Sequence, residues 1–120
     1  MTKSQGSKRY DLEERTLKFA KRVIGFAKTL PKTMANMEMA KQVIRSSASV
    51  GANYIEANEA LSKKDFVMRI KICRKESKES VYWLRIAEIK NSTGEKEREA
   101  LIEKATQLTK IFSSIVERSK

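Results

Sequence analysis

Histidine is absent from these 120 residues, and cysteine and proline occur once each. Without His the chain lacks the side chain that most readily moves protons near neutral pH. Ser-His and Cys-His nucleophile pairs and the usual zinc ligand sets go with it. Four Gly and one Pro are too few turn residues for a many-stranded β domain. No apolar run approaches the roughly 20 residues that cross a bilayer. Residues 1–10 are polar and basic with no apolar signal core behind them, so a secretory leader is not expected. Cys73 has no partner for an internal disulfide, which fits a reducing, cytoplasmic setting. These absences argue against an enzyme and against a membrane protein.

What is present is apolar and charged. Apolar residues make up 40% of the chain and charged residues 34%, enough of the former to build one core in a domain of this length. Lys and Arg number 26 against 15 Asp and Glu, a net charge of +11. A surplus that large on so small a body creates a long-range field that attracts polyanions.

The apolar residues repeat at helical spacing. Residues 1–10 read as a flexible basic arm. Asp11 and Glu14 form a capping-box pattern that opens a first helix, with Thr16, Ala20, Val23, Ala27 and Leu30 on one stripe and Leu17 and Ile24 broadening it. Pro31 ends it. A second helix starts between Thr33 and Asn36 and runs to about Leu61. One of its faces reads Ala40, Ile44, Ser47, Gly51, Tyr54, Asn58, Leu61; a neighbouring face reads Met39, Val43, Ser46, Val50, Asn53, Ala57. The small residues from Ser46 to Ala52 lower helix propensity, and close approach of a neighbouring helix offsets that cost. Ser62 and Asp65 cap a third helix over about 63–90, whose core face is Phe66, Ile70, Cys73, Ser77, Ser80, Leu84 and Ala87. After the break at Asn91-Ser92-Thr93-Gly94, a fourth helix buries Leu101, Ala105, Leu108, Phe112 and Ile115. Four amphipathic helices with short connections predict an all-α fold, an antiparallel up-and-down four-helix bundle over residues 11–118.

The charge is unevenly spread. The segment 31–62 is neutral, the first ten residues carry +3, and residues 63–90 carry +5. On the third helix Lys71, Lys75, Lys78 and Arg85 share one face, with Arg74 beside them and Tyr82 in the gap. That face lies about 100° around from the core stripe. It can track phosphates, with Tyr82 stacking on an exposed base. Arg15, Lys18 and Arg22 make a second, weaker patch. The competing account is a solvated face whose lysines pair with Glu76 and Glu79, each such pair contributing only about 0.2–0.5 kcal/mol.

No catalytic constellation emerges. Glu56 with Glu59 and Glu76 with Glu79 are the close carboxylate pairs of the central helices, but a di-metal bundle site normally needs a Glu-x-x-His element. Metal ions and other cofactors are therefore not expected, and Gly-rich phosphate loops are missing. Asn53 and Glu56 suit hydrogen bonds between helices or subunits, with Arg45 or Arg69 as the partner of any buried carboxylate.

The segment RSSASVGANYIEA, residues 45–57, resembles the signature of the four-helix-bundle proteins encoded by intervening sequences in bacterial large-subunit ribosomal RNA genes. Arg45, Ser46, Ser49, Val50, Asn53 and Glu56 carry the match. KESKESVYWLRIAE, residues 75–88, resembles that family's third-helix segment, with Glu76-Ser77 where many members carry Gly-Ser. The resemblance covers about residues 10–118. It implies a basic bundle without catalytic activity, similar in fold to the accessory variability proteins of diversity-generating retroelements. Those form ring-shaped pentamers that associate with nucleic acid and a reverse transcriptase, so a homopentamer is implied here too. A third helix apolar on two sides agrees with that, and Tyr54, Val81, Trp83 and Ile89 are the candidate subunit contacts. The expectation is an oligomeric bundle that binds RNA or DNA through phosphates. Its rival is an adaptor whose basic face docks an acidic protein.

Overall fold

Three of the four helices open where a side chain takes up the first free amide. In the computed structural model, which describes residues 3–120 and their side chains from residue 11 onward, Thr33 accepts from the Asn36 amide at 3.1 Å. Ser62 accepts from Asp65 at 3.0 Å and Asn91 from Gly94 at 2.8 Å. Each cap lies in extended backbone, and its replacement by Ala costs about 1 kcal/mol. The helices so opened are α2 (Met34–Asn58), α3 (Lys63–Ile86) and α4 (Ser92–Arg118); α1 (Lys3–Thr29) precedes them. No strand occurs among the described residues.

The helix expected to open at Asp11 is already running there, so the Asp11–Glu14 pair caps nothing. No proline interrupts the preceding residues, and extending an existing helix adds one hydrogen bond per residue without a new nucleus. The reading of residues 1–10 as a basic arm rests on side chains outside the described residues.

Cross-helix pairs fix the direction of travel. Glu13 meets Asn58 and Thr16 meets Gly51 between α1 and α2. Ser46 meets Ser80 and Asn53 meets Arg69 between α2 and α3; Arg15 meets Gln107 and Arg22 meets Glu97 between α1 and α4. At each seam one residue number rises as the other falls, so neighbours are antiparallel. Each helix packs on two others and the backbones of the diagonal pairs stay apart; α2–α3 is the most extensive seam and α1–α4 the slightest.

The core follows the sequence pattern on α3 through Ile70, Cys73, Ser77, Ser80, Leu84 and Ala87, with Phe66 only half-buried. On α4 it runs through Leu101, Ala105, Leu108 and Phe112, where Val116 is buried in place of the expected Ile115. Burying one such Leu, Ile or Phe side chain contributes about 1.5–3 kcal/mol. On α2 the face through Met39, Val43, Ser46, Val50 and Ala57 is the core; Leu61 lies past the end of the helix, 99% exposed. On α1 the stripe leans the other way from expectation. Leu12, Phe19 and Phe26 fill in between Thr16, Val23 and Leu30, while Leu17 is exposed. The larger side chains won the inward positions.

The crowd of small residues does what its composition predicts. Ser46 Oγ lies 2.9 Å from Ser80 Oγ, and Cys73 Sγ donates to the Val50 carbonyl at 3.4 Å. A Cβ on Gly51 would come within 3.0 Å of Thr16 Oγ1. Buried Asn36 adds a fastening that the pattern did not announce. Its amide donates to the carbonyls of Pro31 and Glu88, both at 2.9 Å, and its oxygen accepts from the Glu88 amide at 2.8 Å. These bonds help end α3 at Ile86, four residues earlier than expected, because Glu88 gives its backbone groups to Asn36. Arg98 Nη1 donates to the Ala87 carbonyl at 3.0 Å beside it.

Candidate nucleic-acid interface

The apolar stripe of α3 faces the core, which obliges the residues one step around the helix to face solvent. Lys71, Lys75, Lys78, Tyr82 and Arg85 are exposed there, and Arg74 is half-buried. The carboxylates that could neutralise them point elsewhere. Glu76 and Glu79 turn toward α2, where Arg45 Nη1 lies 3.9 Å from Glu76 Oε1 and Arg45 Nη2 lies 3.7 Å from Glu79 Oε1. Lys75 Nζ is 3.9 Å from Glu76 Oε2. Among the described residues Lys71, Arg74, Lys78 and Arg85 have no ion-pair partner. The pairing account of this face therefore holds only for Lys75.

Glu76 is the surprise. It is buried, 7% exposed, and its Oε1 has no hydrogen-bond partner, so its charge rests on the longer approaches of Arg45 and Lys75. Arg45, expected beside a buried Glu56, stands instead beside Glu76, and Glu56 is exposed. The usable signal is spacing: Glu76 stands next to Ser77 and three residues after Cys73, on the edge of the core stripe.

The second patch is largely committed inside the molecule. Arg22 holds Glu97 through two hydrogen bonds of 2.7 and 2.8 Å, and the bond to Glu97 raises the guanidinium pKa above its ordinary value. Arg15 donates to Gln107 Oε1 at 3.2 Å. Lys18 alone of the three is exposed and unpaired among the described residues. With Lys104 these side chains rim a groove of about 260 Å³ floored by Phe19 and Leu108.

The motif residues of α2 line its outer seam with α3. Asn53 Nδ2 donates to the Ser49 carbonyl at 2.9 Å, and Asn53 Oδ1 accepts from Arg69 Nη1 at 2.9 Å. Arg69 thus serves Asn53, while Glu56 is exposed. Of the four candidate subunit contacts, Tyr54 is corrected: it is buried within the single chain, its ring 6.0 Å from that of Phe112. A phenol at that position on α2 points between the helices, so it has no outer face to offer. Val81, Trp83 and Ile89 are half-buried against the core. The exposed large apolar side chains include Ile55, Leu61 and Met68, clustered toward the α2–α3 turn.

Burial pushes the lone thiol, Cys73, up to about 12, so it stays protonated and unreactive at neutral pH. Among the described residues no three His, Cys, Asp or Glu side chains converge as metal ligands would, and no helix is long and apolar enough to cross a membrane.

Residues 8–114 match the family described as 23S rRNA-intervening sequence protein. The chain is also similar to a solved structure, a protein of unknown function from the S23 ribosomal protein family of Bacteroides thetaiotaomicron. The two are 32% identical with a TM-score of 0.78, and the match covers 92% of this chain and 98% of that one. No curated protein matches the sequence.

Proposed function

This chain belongs to the 23S rRNA-intervening sequence protein family, and from that footing we propose that it is a non-catalytic bundle that holds nucleic acid, RNA or DNA, by its phosphates. The observation that carries the reading is the unpaired row on α3. Lys71, Arg74, Lys78 and Arg85 stand along one straight helix face, while the adjacent carboxylates are engaged with Arg45. From Lys71 to Arg85 the row extends about 21 Å at 1.5 Å per residue. Ammonium and guanidinium groups on such a line exchange their counterions for phosphate oxygens, and released counterions drive the association.

Four neutralised phosphates make affinity fall on the order of a hundred-fold between 50 and 200 mM salt. Titration of a labelled 20-mer across that range by fluorescence anisotropy tests this, and affinity independent of salt would overturn the mechanism. Reversal of Lys71, Arg74, Lys75 and Lys78 to Glu is expected to abolish retention while circular dichroism shows unchanged helicity. Retention by the folded variant would show that another surface binds. Capture of an acidic protein that survives nuclease, with no direct oligonucleotide binding, would favour the adaptor reading.

Assembly belongs to the same proposal. A ring-shaped homo-oligomer, five chains by similarity to the accessory variability proteins, is supported by the exposed Ile55, Leu61 and Met68, which a second chain would cover. A reducing, cytoplasmic setting is supported by the lone buried thiol. Light scattering coupled to size exclusion reads the assembly directly, and a monomeric mass would overturn it.

A further inference from the structure

We propose that the α3 surface selects unpaired nucleotides, because beside its phosphate row it carries a hollow shaped for a single nucleobase. This inference rests on the phosphate-binding reading of the same face. The row of cations follows a 4-3-4-3 rhythm through residues 71, 75, 78, 82 and 85, and at one beat the cation is replaced by Tyr82. Tyr82 is 61% exposed and its neighbour Ile86 39% exposed, so the phenol is open to an incoming ring. Behind it Trp83 stands edge-on, ring centres 5.1 Å apart at 74°, which braces the phenol.

Tyr82 forms one wall of a hollow of about 350 Å³ lined by Lys78, Val81, Arg85 and Ile86. That volume is at the small end of ligand sites, which run from about 300 to 1,000 Å³. Its chemistry is specific. Val81 and Ile86 offer an apolar bed, Tyr82 offers a π face, and Lys78 and Arg85 flank the mouth one turn below and above. A flat, weakly polar heterocycle tethered between two phosphates satisfies all three. A second hollow of about 490 Å³ shares Val81 and Arg85 and continues onto α4 past Ile102 and Thr106. Val81 and Arg85 thus border both hollows, and the second, rimmed by Arg98 and Glu99, is the more polar.

A duplex cannot use this arrangement. Its bases are stacked on one another and present only edges in the grooves, so no ring face is free to meet Tyr82. Single strands, loops and bulges can turn a base outward, and stacking on an aromatic side chain then adds affinity whatever the base.

The test compares three labelled 15-mers on the folded protein by anisotropy: a single strand bearing bases, the same length of abasic strand, and a duplex. Wild type is expected to prefer the base-bearing strand over the abasic one by about ten-fold or more. Tyr82→Ala removes that preference and leaves abasic affinity unchanged, whereas Tyr82→Phe keeps it. The single tryptophan is an internal reporter, since a base seated on Tyr82 alters Trp83 emission. Equal affinity of wild type for base-bearing and abasic strands, or a preference that survives Tyr82→Ala, would overturn the pocket while leaving the phosphate reading intact. Failure to bind any of the three probes at low salt would overturn both.

Discussion

Where α2 meets α3, the side chains between the backbones are Ser46, Ser80 and Cys73, with hydroxyls 2.9 Å apart and no exposure to water. Where α1 meets α4, Arg15 reaches out to Gln107 and Arg22 clamps Glu97 over a groove wide enough to hold solvent. The first seam is held by proximity, the second by reach. Small residues bring two helices close enough for dispersion and short hydrogen bonds to act along their whole length. Long charged side chains bridge a wider gap, spend rotamer entropy to do so, and remain open to salt. One helix pair is built for rigidity and the other for tolerance.

That contrast can be attacked from the rigid side first. Ser46→Leu forces a branched side chain into the hydroxyl contact and is expected to cost about 3 kcal/mol, read as a lower urea midpoint. Ser46→Ala should cost about 1 kcal/mol or less, because Ser80 Oγ keeps its bond to the Glu76 carbonyl at 3.0 Å. Similar losses for the two would show that the seam is not tightly packed.

An intermediate effect comes from the thiol in the same seam. Burial raises the folded Cys73 to about 12, while the unfolded thiol titrates near about 8.5. Above that lower value the unfolded chain sheds its proton and the folded chain does not, so unfolding becomes easier. The contribution is present in full below about pH 8.5 and is lost as pH climbs toward 12. Stability measured across that window should fall less steeply in Cys73→Ala than in wild type. Parallel curves would mean that water reaches the thiol.

The smallest effect belongs to the tolerant seam. Arg22 is 44% exposed at its side chain, so Arg22→Ala is expected to cost only about 0.5–1 kcal/mol. The loss should shrink further in high salt. A cost rivalling Ser46→Leu would erase the distinction between the seams.

The tight seam was also the legible one. A run of Ser, Ala and Gly inside a helical pattern has few explanations besides close approach, and the α3 stripe from Ile70 to Ala87 alternated regularly. The cap at Ser62 and the break at Asn91 are local chemistry that sequence carries by itself, while the capping bond from Gly94 to Asn91 emerged only in the structure. The faces of α1 were harder, because Phe19 and Phe26 lie one residue step from Ala20 and Ala27, and the pattern fixes a face only to about that step. Asn36 and Glu76 were invisible for a different reason. Their partners stand far off in sequence, 52 residues away for Asn36 and on another helix for Glu76, and only the assembled bundle brings them together. The cationic row was legible as composition, but which cations stay unpaired depends on where Glu76 and Glu79 turn.

Asn36 joins the start of α2 to the residue just past the end of α3, and the turn at residues 59–62 joins the same two helices at their other ends. The inner hairpin is thus a closed clasp, fastened covalently at one tip and by an amide at the other. The flanking helices pack on it, α1 along α2 and α4 along α3. Local opening is consequently expected to part α1 from α4, the slightest seam, before it parts the clasped pair. The helix that carries the cations belongs to the pair fastened at both ends.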